Sequence, residues 1–184
     1  MASGMSGHER PVRGQTNEWH TPKWILDGLG PFDDDPCLPG KDDGLAREWQ
    51  GFVWLNPPYG PECGKYVGRL ADHGNGIALT FARTETKWFV SQAWGRADCI
   101  LFLYGRLHFL RNGTERLGNA GAPSCLIGYG ATAIARLKQF AETFGGALCA
   151  DWMHSLANKE SAPTKDGARE GTGQTTITEE NNGN

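Results

Sequence analysis

Strand-length apolar runs alternate with helix-like segments from Thr21 to Phe144, and that alternation limits the chain to few folds. Thr21-Pro22 reads as an N-cap and first helical position, opening a short helix through Trp24, Ile25 and Leu26 that ends at Gly28 and Gly30. A short strand is expected at Pro31 to Asp35. FVWL (52–55) is a strand, and Pro61 starts a helix carrying Tyr66, Val67 and Leu70, closed by Gly74. GIALTFA (76–82) is an apolar run of buried-strand type. Thr84 caps a helix with Trp88 and Phe89 inward and Gly95 at its end. DCILFLYG (98–105) and RLHFL (106–110) are close enough to pair through Gly105, and SCLIGYG (124–130) is a further strand. Ala131 to Phe144 is the best helix, with Ile134, Leu137, Ala141 and Phe144 on one face. The expected fold is α/β: a compact Rossmann-like sheet, mostly parallel, with an antiparallel strand pair late in the chain.

One domain accommodates these elements. The chain has 184 residues, too few for two comfortable domains. Residues 1–16 are small, polar and Gly-rich and read as loose; 17–154 form the domain; 155–184 carry few large apolar groups and read as a disordered tail. Five cysteines (Cys37, Cys63, Cys99, Cys125 and Cys149) form no CxxC pair, and no His/Cys spacing resembles a zinc site. No metal is therefore expected, and scattered cysteines imply reduced thiols in a cytoplasmic protein. No leader and no bilayer-length apolar segment is seen, so no membrane partner is expected. The formal net charge of −3 does not announce a nucleic-acid partner, so any basic surface has to be local.

In GFVWLNPPYG (51–60) an apolar run stops at Asn56 and is followed by Pro57, Pro58 and Tyr59. Pro57 forces Asn56 into an extended conformation and fixes its own φ, so the carbonyls point in preset directions. Asn56 adds an amide oxygen that accepts hydrogen bonds and does not titrate near neutral pH. Tyr59 presents a flat face with a polar tip. Two acceptors beside a stacking ring suit a planar heterocycle with an exocyclic amine. The amine of adenine is a poor nucleophile because its lone pair is delocalised into the ring. Two acceptors gripping its hydrogens favour pyramidal nitrogen, and that contact strengthens in the transition state. A stacked base is out of reach for such chemistry and must be flipped out, where Tyr59 would hold it.

Six segments together resemble a known family. They are EWHTP (18–22), FDDDPC (32–37), DDGL (42–45), WQGFVWLNPPYG (49–60), FARTETKWF (81–89) and LYGRLHFL (103–110). In this order and spacing they are similar to the phage-type DNA N-6-adenine methyltransferase (Dam-like) family, over about residues 17–130. The resemblance implies S-adenosylmethionine as cofactor, double-stranded DNA as partner, and a catalytic loop of Asn56, Pro57, Pro58 and Tyr59. It further implies that Asp35-Pro36 is the cofactor turn, its carboxylate meeting the amino group of the methionine moiety. Thr21-Pro22 would lie along that same end, and Asp43 would contact the cofactor's adenine. Members are typically phage-encoded and protect or mark DNA inside a bacterial host cell, hence the cytoplasm. The chain departs from methyltransferases at large: no FxGxG follows the first strand, and only twenty residues separate Asp35 from Asn56. Either Asp42 or Asp43 doubles for the ribose-binding acid, or the ribose is held otherwise.

Competing readings of single residues are plainer. Asp33, Asp34 and Asp35 also suit an acidic turn, and Asp43-Gly44 is a common turn pair. Cys37 after Pro36 matches the nucleophile pair of cytosine-C5 methyltransferases, but beside NPPY it reads as a small buried or half-buried residue. Between residues 83 and 116, Arg83, Lys87, Arg96, Arg106, Arg111 and Arg116 face only Glu85, Asp98 and Glu115, a local excess of +3. Arg83, Lys87, Arg106 and Arg111 are the candidate phosphate contacts. Two other functions fit the same residues: methylation of cytosine's N4 amine, and a DNA-binding protein that kept the fold and lost turnover.

Overall fold

The computed structural model describes residues 19–38, 44–111 and 115–150. The loose N-terminal segment, Asp43 and the tail expected from the sequence lie outside the described residues. Chain order is β1 (Trp19–His20), α1 (Lys23–Leu29), β2 (Val53–Leu55), α2 (Cys63–His73), β3 (Gly76–Phe81), a π-helical segment (Phe89–Trp94), β4 (Cys99–Phe102), β5 (His108–Arg111), β6 (Glu115–Asn119), β7 (Ser124–Tyr129), α3 (Ala131–Phe144) and β8 (Ala147–Ala150).

The main sheet has five strands in the order β2-β3-β7-β4-β8. Here the expectation of a mostly parallel, Rossmann-like sheet is overturned. Only β2 and β3 pair in parallel; β3–β7, β7–β4 and β4–β8 are all antiparallel. The cause lies in the connection after β4. The chain leaves β4 at Phe102 and returns at Ser124, beside Cys125, the partner of Phe102. An excursion that comes back to the edge it left produces an antiparallel neighbour, whereas a parallel one needs a crossover to the far edge. That excursion carries β5 and β6, which pair with each other and with β1 in a separate three-stranded antiparallel sheet. So β4 and β5, expected to pair through Gly105, belong to different sheets.

Helices cover the main sheet on both sides, which is why its strands are apolar at successive positions. Ile25 and Leu29 of α1 and Leu137 and Phe140 of α3 pack on Trp54, Ile77, Leu79, Leu101 and Leu126. On the other face, Val67 and Leu70 of α2 and Phe89 of the π-helical segment pack on Val53, Leu55, Ala78, Ile100 and Ile127. Each large apolar side chain buried this way contributes about 1.5–3 kcal/mol. The inward face of α3 is Ala133, Leu137 and Phe140, while Phe144 is 44 % exposed. Trp24 of α1 is likewise exposed and stacks on Phe140 with ring centroids 5.7 Å apart. Gly74 ends α2 in the left-handed conformation expected of a helix-closing glycine, its N–H donating to the Leu70 carbonyl. Thr84 does not cap the next helical segment. Thr86 serves there, its hydroxyl donating to the Arg83 carbonyl and accepting from the Phe89 N–H. The segment from Pro31 to Asp35 is reduced to one isolated parallel bridge between Asp34 and Val53.

Because β2, β3 and β4 run in one direction, Leu55, Phe81 and Phe102 end at one edge of the sheet. That edge positions the candidate site.

Candidate active site

β2 ends at Leu55, and Asn56 follows at the carboxyl edge, half-buried, with a buried Pro57 and an exposed Pro58 after it. The alternation along β2 sends Val53 and Leu55 to the α2 face and Trp54 to the α1/α3 face. Tyr59 lies on the α1/α3 side. Its ring stacks on Phe81, the last residue of β3, with centroids 4.2 Å apart and planes at 22°, and it meets Phe109 of β5 edge-on at 5.7 Å. The Tyr59 hydroxyl donates to Asn56 Oδ1 at 3.3 Å. Burial pushes the pKa of that hydroxyl well above its ordinary value, so it stays protonated and remains a donor.

On the other flank of β2, the Asp34–Val53 bridge sets Asp35 beside Trp54. Ladder spacings then put the Cα atoms of Asp35 and Asn56 about 8 Å apart. Asp35 Oδ1 accepts the Cys37 N–H at 3.0 Å, folding the carboxylate back over Pro36. The other two aspartates serve the chain itself. Asp33 Oδ2 accepts the Phe52 N–H at 2.6 Å. Asp34 is paired with Arg47, whose hydrogen bond holds the carboxyl below its ordinary pKa. Cys37 is half-buried, and burial pushes its thiol up to about 12, with the Asp35 charge adding to the shift. A thiol held so far toward its protonated form is a poor nucleophile, which counts against the cytosine-C5 reading of Pro36-Cys37.

Thr21 and Pro22 sit between β1 and α1. His20 pairs with Leu110, so the turn leaves β1 beside the strand that carries Phe109. β5 therefore neighbours both regions: β1, which leads into the Thr21-Pro22 turn, pairs with it, and Tyr59 meets its Phe109 edge-on. Among the basic candidates, Arg83 follows β3 two residues after Phe81 and is half-buried, and Lys87 is exposed. Arg106 is exposed in the turn after β4, Nη1 donating to the Ala120 carbonyl at 3.3 Å. Arg111 ends β5, its backbone opposite Trp19 and Glu115. Arg83, Arg106 and Arg111 thus lie on the two segments that carry Phe81 and Phe109.

Phe81 and Phe109 were not singled out as site residues by the sequence. Both lie inside FARTETKWF and LYGRLHFL, but an aromatic in a strand ordinarily signals core, and only the folded chain brings both to Tyr59. A groove of about 450 Å3, lined by Glu48, Trp49, Arg69, Asp72 and His73, lies at the opposite end of β2, and no sequence-predicted site residue lines it. Among the described residues there is no group of three or more His, Cys, Asp or Glu able to hold a metal, and no helix long and apolar enough to cross a membrane. The chain matches no family model, no curated protein and no solved structure.

Proposed function

We propose that this protein is an S-adenosylmethionine-dependent DNA methyltransferase acting on the N6 amine of a flipped-out adenine. The observation that carries the reading is the Asn56–Tyr59 loop at the carboxyl edge of β2. There an amide acceptor, a rigid Pro-Pro backbone and an aromatic pair converge beside the Asp35 turn. An amide oxygen has two lone pairs, so Asn56 Oδ1 can accept from Tyr59 and from a substrate amine together. Tyr59 then orients the amide, and Asn56 with the Pro57 carbonyl takes the two amine hydrogens. Phe81 backs the Tyr59 ring, giving a flipped base a two-ring platform for stacking.

The residues beside the loop suit the proposed cofactor. A carboxylate next to the reacting edge complements the ammonium of a methionine moiety, and Asp35 occupies that position. S-adenosylmethionine would supply the methyl group as an electrophile. Asp35 would anchor it, with Thr21-Pro22 along the same end, while Asn56 and Pro57 raise the nucleophilicity of the amine. Arg83, Lys87, Arg106 and Arg111 would meet phosphates and hold the duplex in register.

Expressing the full chain in a bacterium that lacks DNA methylation, and sequencing its DNA for modified bases, tests the reading. N6-methyladenine at a short recurring site supports it. N4-methylcytosine would move the substrate to the other base that offers an exocyclic amine to the same loop. Unmodified DNA together with no binding of S-adenosylmethionine would refute both.

A further inference from the structure

Asp34, one residue before the proposed cofactor carboxylate, is gripped from two directions. Its side chain is 9 % exposed, and Arg47 Nη1 and Nη2 reach its two oxygens at 2.6 Å each, a fork-to-fork pair. The Gln50 N–H adds a longer contact at 3.4 Å. Its carbonyl accepts the Trp54 N–H at 2.9 Å, inside the β2 ladder. Arg47 is itself held. Arg69, from α2, donates Nη2 to the Arg47 carbonyl at 2.5 Å and Nη1 to the Leu45 carbonyl. The Arg69 guanidinium lies 5.2 Å from the Trp49 ring centroid, and Trp49 Nε1 donates to the Gly44 carbonyl at 2.6 Å. A continuous run of contacts therefore leads from α2 through Arg69, the 44–47 turn, Arg47 and Asp34 to Asp35.

This run ends at a proposed ligand contact and passes through a pair whose carboxylate is largely buried while its guanidinium is partly exposed. A carboxylate so buried, if deprived of its guanidinium, has to turn toward water or take up a proton, and either change disturbs the residue bonded to it. Building on the functional reading above, we propose that Arg47 is a positioning residue for the methyl donor. It locks Asp34 so that the neighbouring Asp35 carboxylate stays fixed where it meets the donor's ammonium group, and Arg69 holds Arg47 in place.

The test compares the full-length parent with Arg47→Gln and Arg47→Lys. It measures S-adenosylmethionine affinity by calorimetry, steady-state kinetics, and amide exchange at Cys37 and Gln50. Arg47→Gln is expected to raise the Kd and the KM for S-adenosylmethionine about tenfold, the size of one weakened contact to a charged group. The kcat at saturating cofactor and the KM for DNA should stay within about twofold, and the Cys37 and Gln50 amides should exchange faster. Arg47→Lys keeps the charge without the fork and should recover part of the affinity, which guards against a glutamine variant that simply folds poorly. Faster exchange with unchanged affinity would make the pair purely structural and overturn the inference, as would a loss confined to kcat. If the parent binds no S-adenosylmethionine, the functional reading falls and takes this inference with it. If the parent binds and the glutamine variant matches it, the inference falls alone.

Discussion

Asn56→Ala separates chemistry from folding more sharply than any other single change. In the structure the Asn56 side-chain oxygen accepts the Tyr59 hydroxyl at 3.3 Å, near the long limit for an O–H···O bond. Losing it costs about 0.5–1 kcal/mol of stability, the low end for a neutral hydrogen bond. Tyr59 keeps its stack on Phe81 and its edge contact with Phe109, and Trp54 and Leu55 before it remain buried, so β2 and the loop should stay in place. The catalytic loss is far larger if the amide grips the amine only as nitrogen becomes pyramidal. Removing one such preorganised contact costs about 100- to 1,000-fold in rate, or roughly 2.7–4 kcal/mol. Asn56→Asp retains an acceptor oxygen in the same place and should keep more turnover than Ala. Single-turnover methylation of duplex DNA by the three proteins, run beside thermal unfolding and cofactor titration, gives the order. An alanine variant that methylates as fast as the parent would refute the assignment of the loop. So would a variant whose rate loss is matched by an equal loss of stability.

Other perturbations probe the frame around the site. Asp34 has a depressed pKa, chiefly through its hydrogen bond to Arg47, so its contribution is present above the unfolded value of about 3.9 and lost as pH falls below it. Unfolding midpoints measured from pH 6 to pH 2 should therefore drop more steeply below about pH 4 in the parent than in Asp34→Asn; identical slopes would contradict the pairing. Gly51 has φ of +60°, and a Cβ there would fall against the Asp33 carboxylate. Gly51→Ala should therefore cost about 1–3 kcal/mol in denaturant unfolding, and an unchanged midpoint would mean the turn relaxes freely. Arg106→Gln should raise the KM for DNA and reduce the slope of log affinity against log salt by about one unit. An equal slope would move the phosphate contacts elsewhere.

Much of the local structure was legible without the fold. Val53–Leu55, Gly76–Phe81, Ser124–Tyr129 and Ala131–Phe144 lie where apolar runs and helical spacing put them, because these signals are local in the chain. Asn56-Pro-Pro-Tyr stood out for the same reason: proline restricts its neighbour whatever the rest of the protein does. Strand direction was not local. Nothing within SCLIGYG says that it runs against GIALTFA; that follows from the chain returning at Ser124 to the edge it left at Phe102. The same limit governs the site. The sequence marked Tyr59 as a stacking ring and singled out Asp35 from Asp33 and Asp34 only through the family resemblance. Packing alone decided that Tyr59 rests on Phe81 and meets Phe109, residues 22 and 50 positions away. Packing also gave the three aspartates separate partners: the Phe52 amide, Arg47 and the Cys37 amide. Composition and spacing determine which groups a chain can offer, but contacts between residues far apart in the chain depend on how each strand enters the sheet, and that is settled only when the whole core closes.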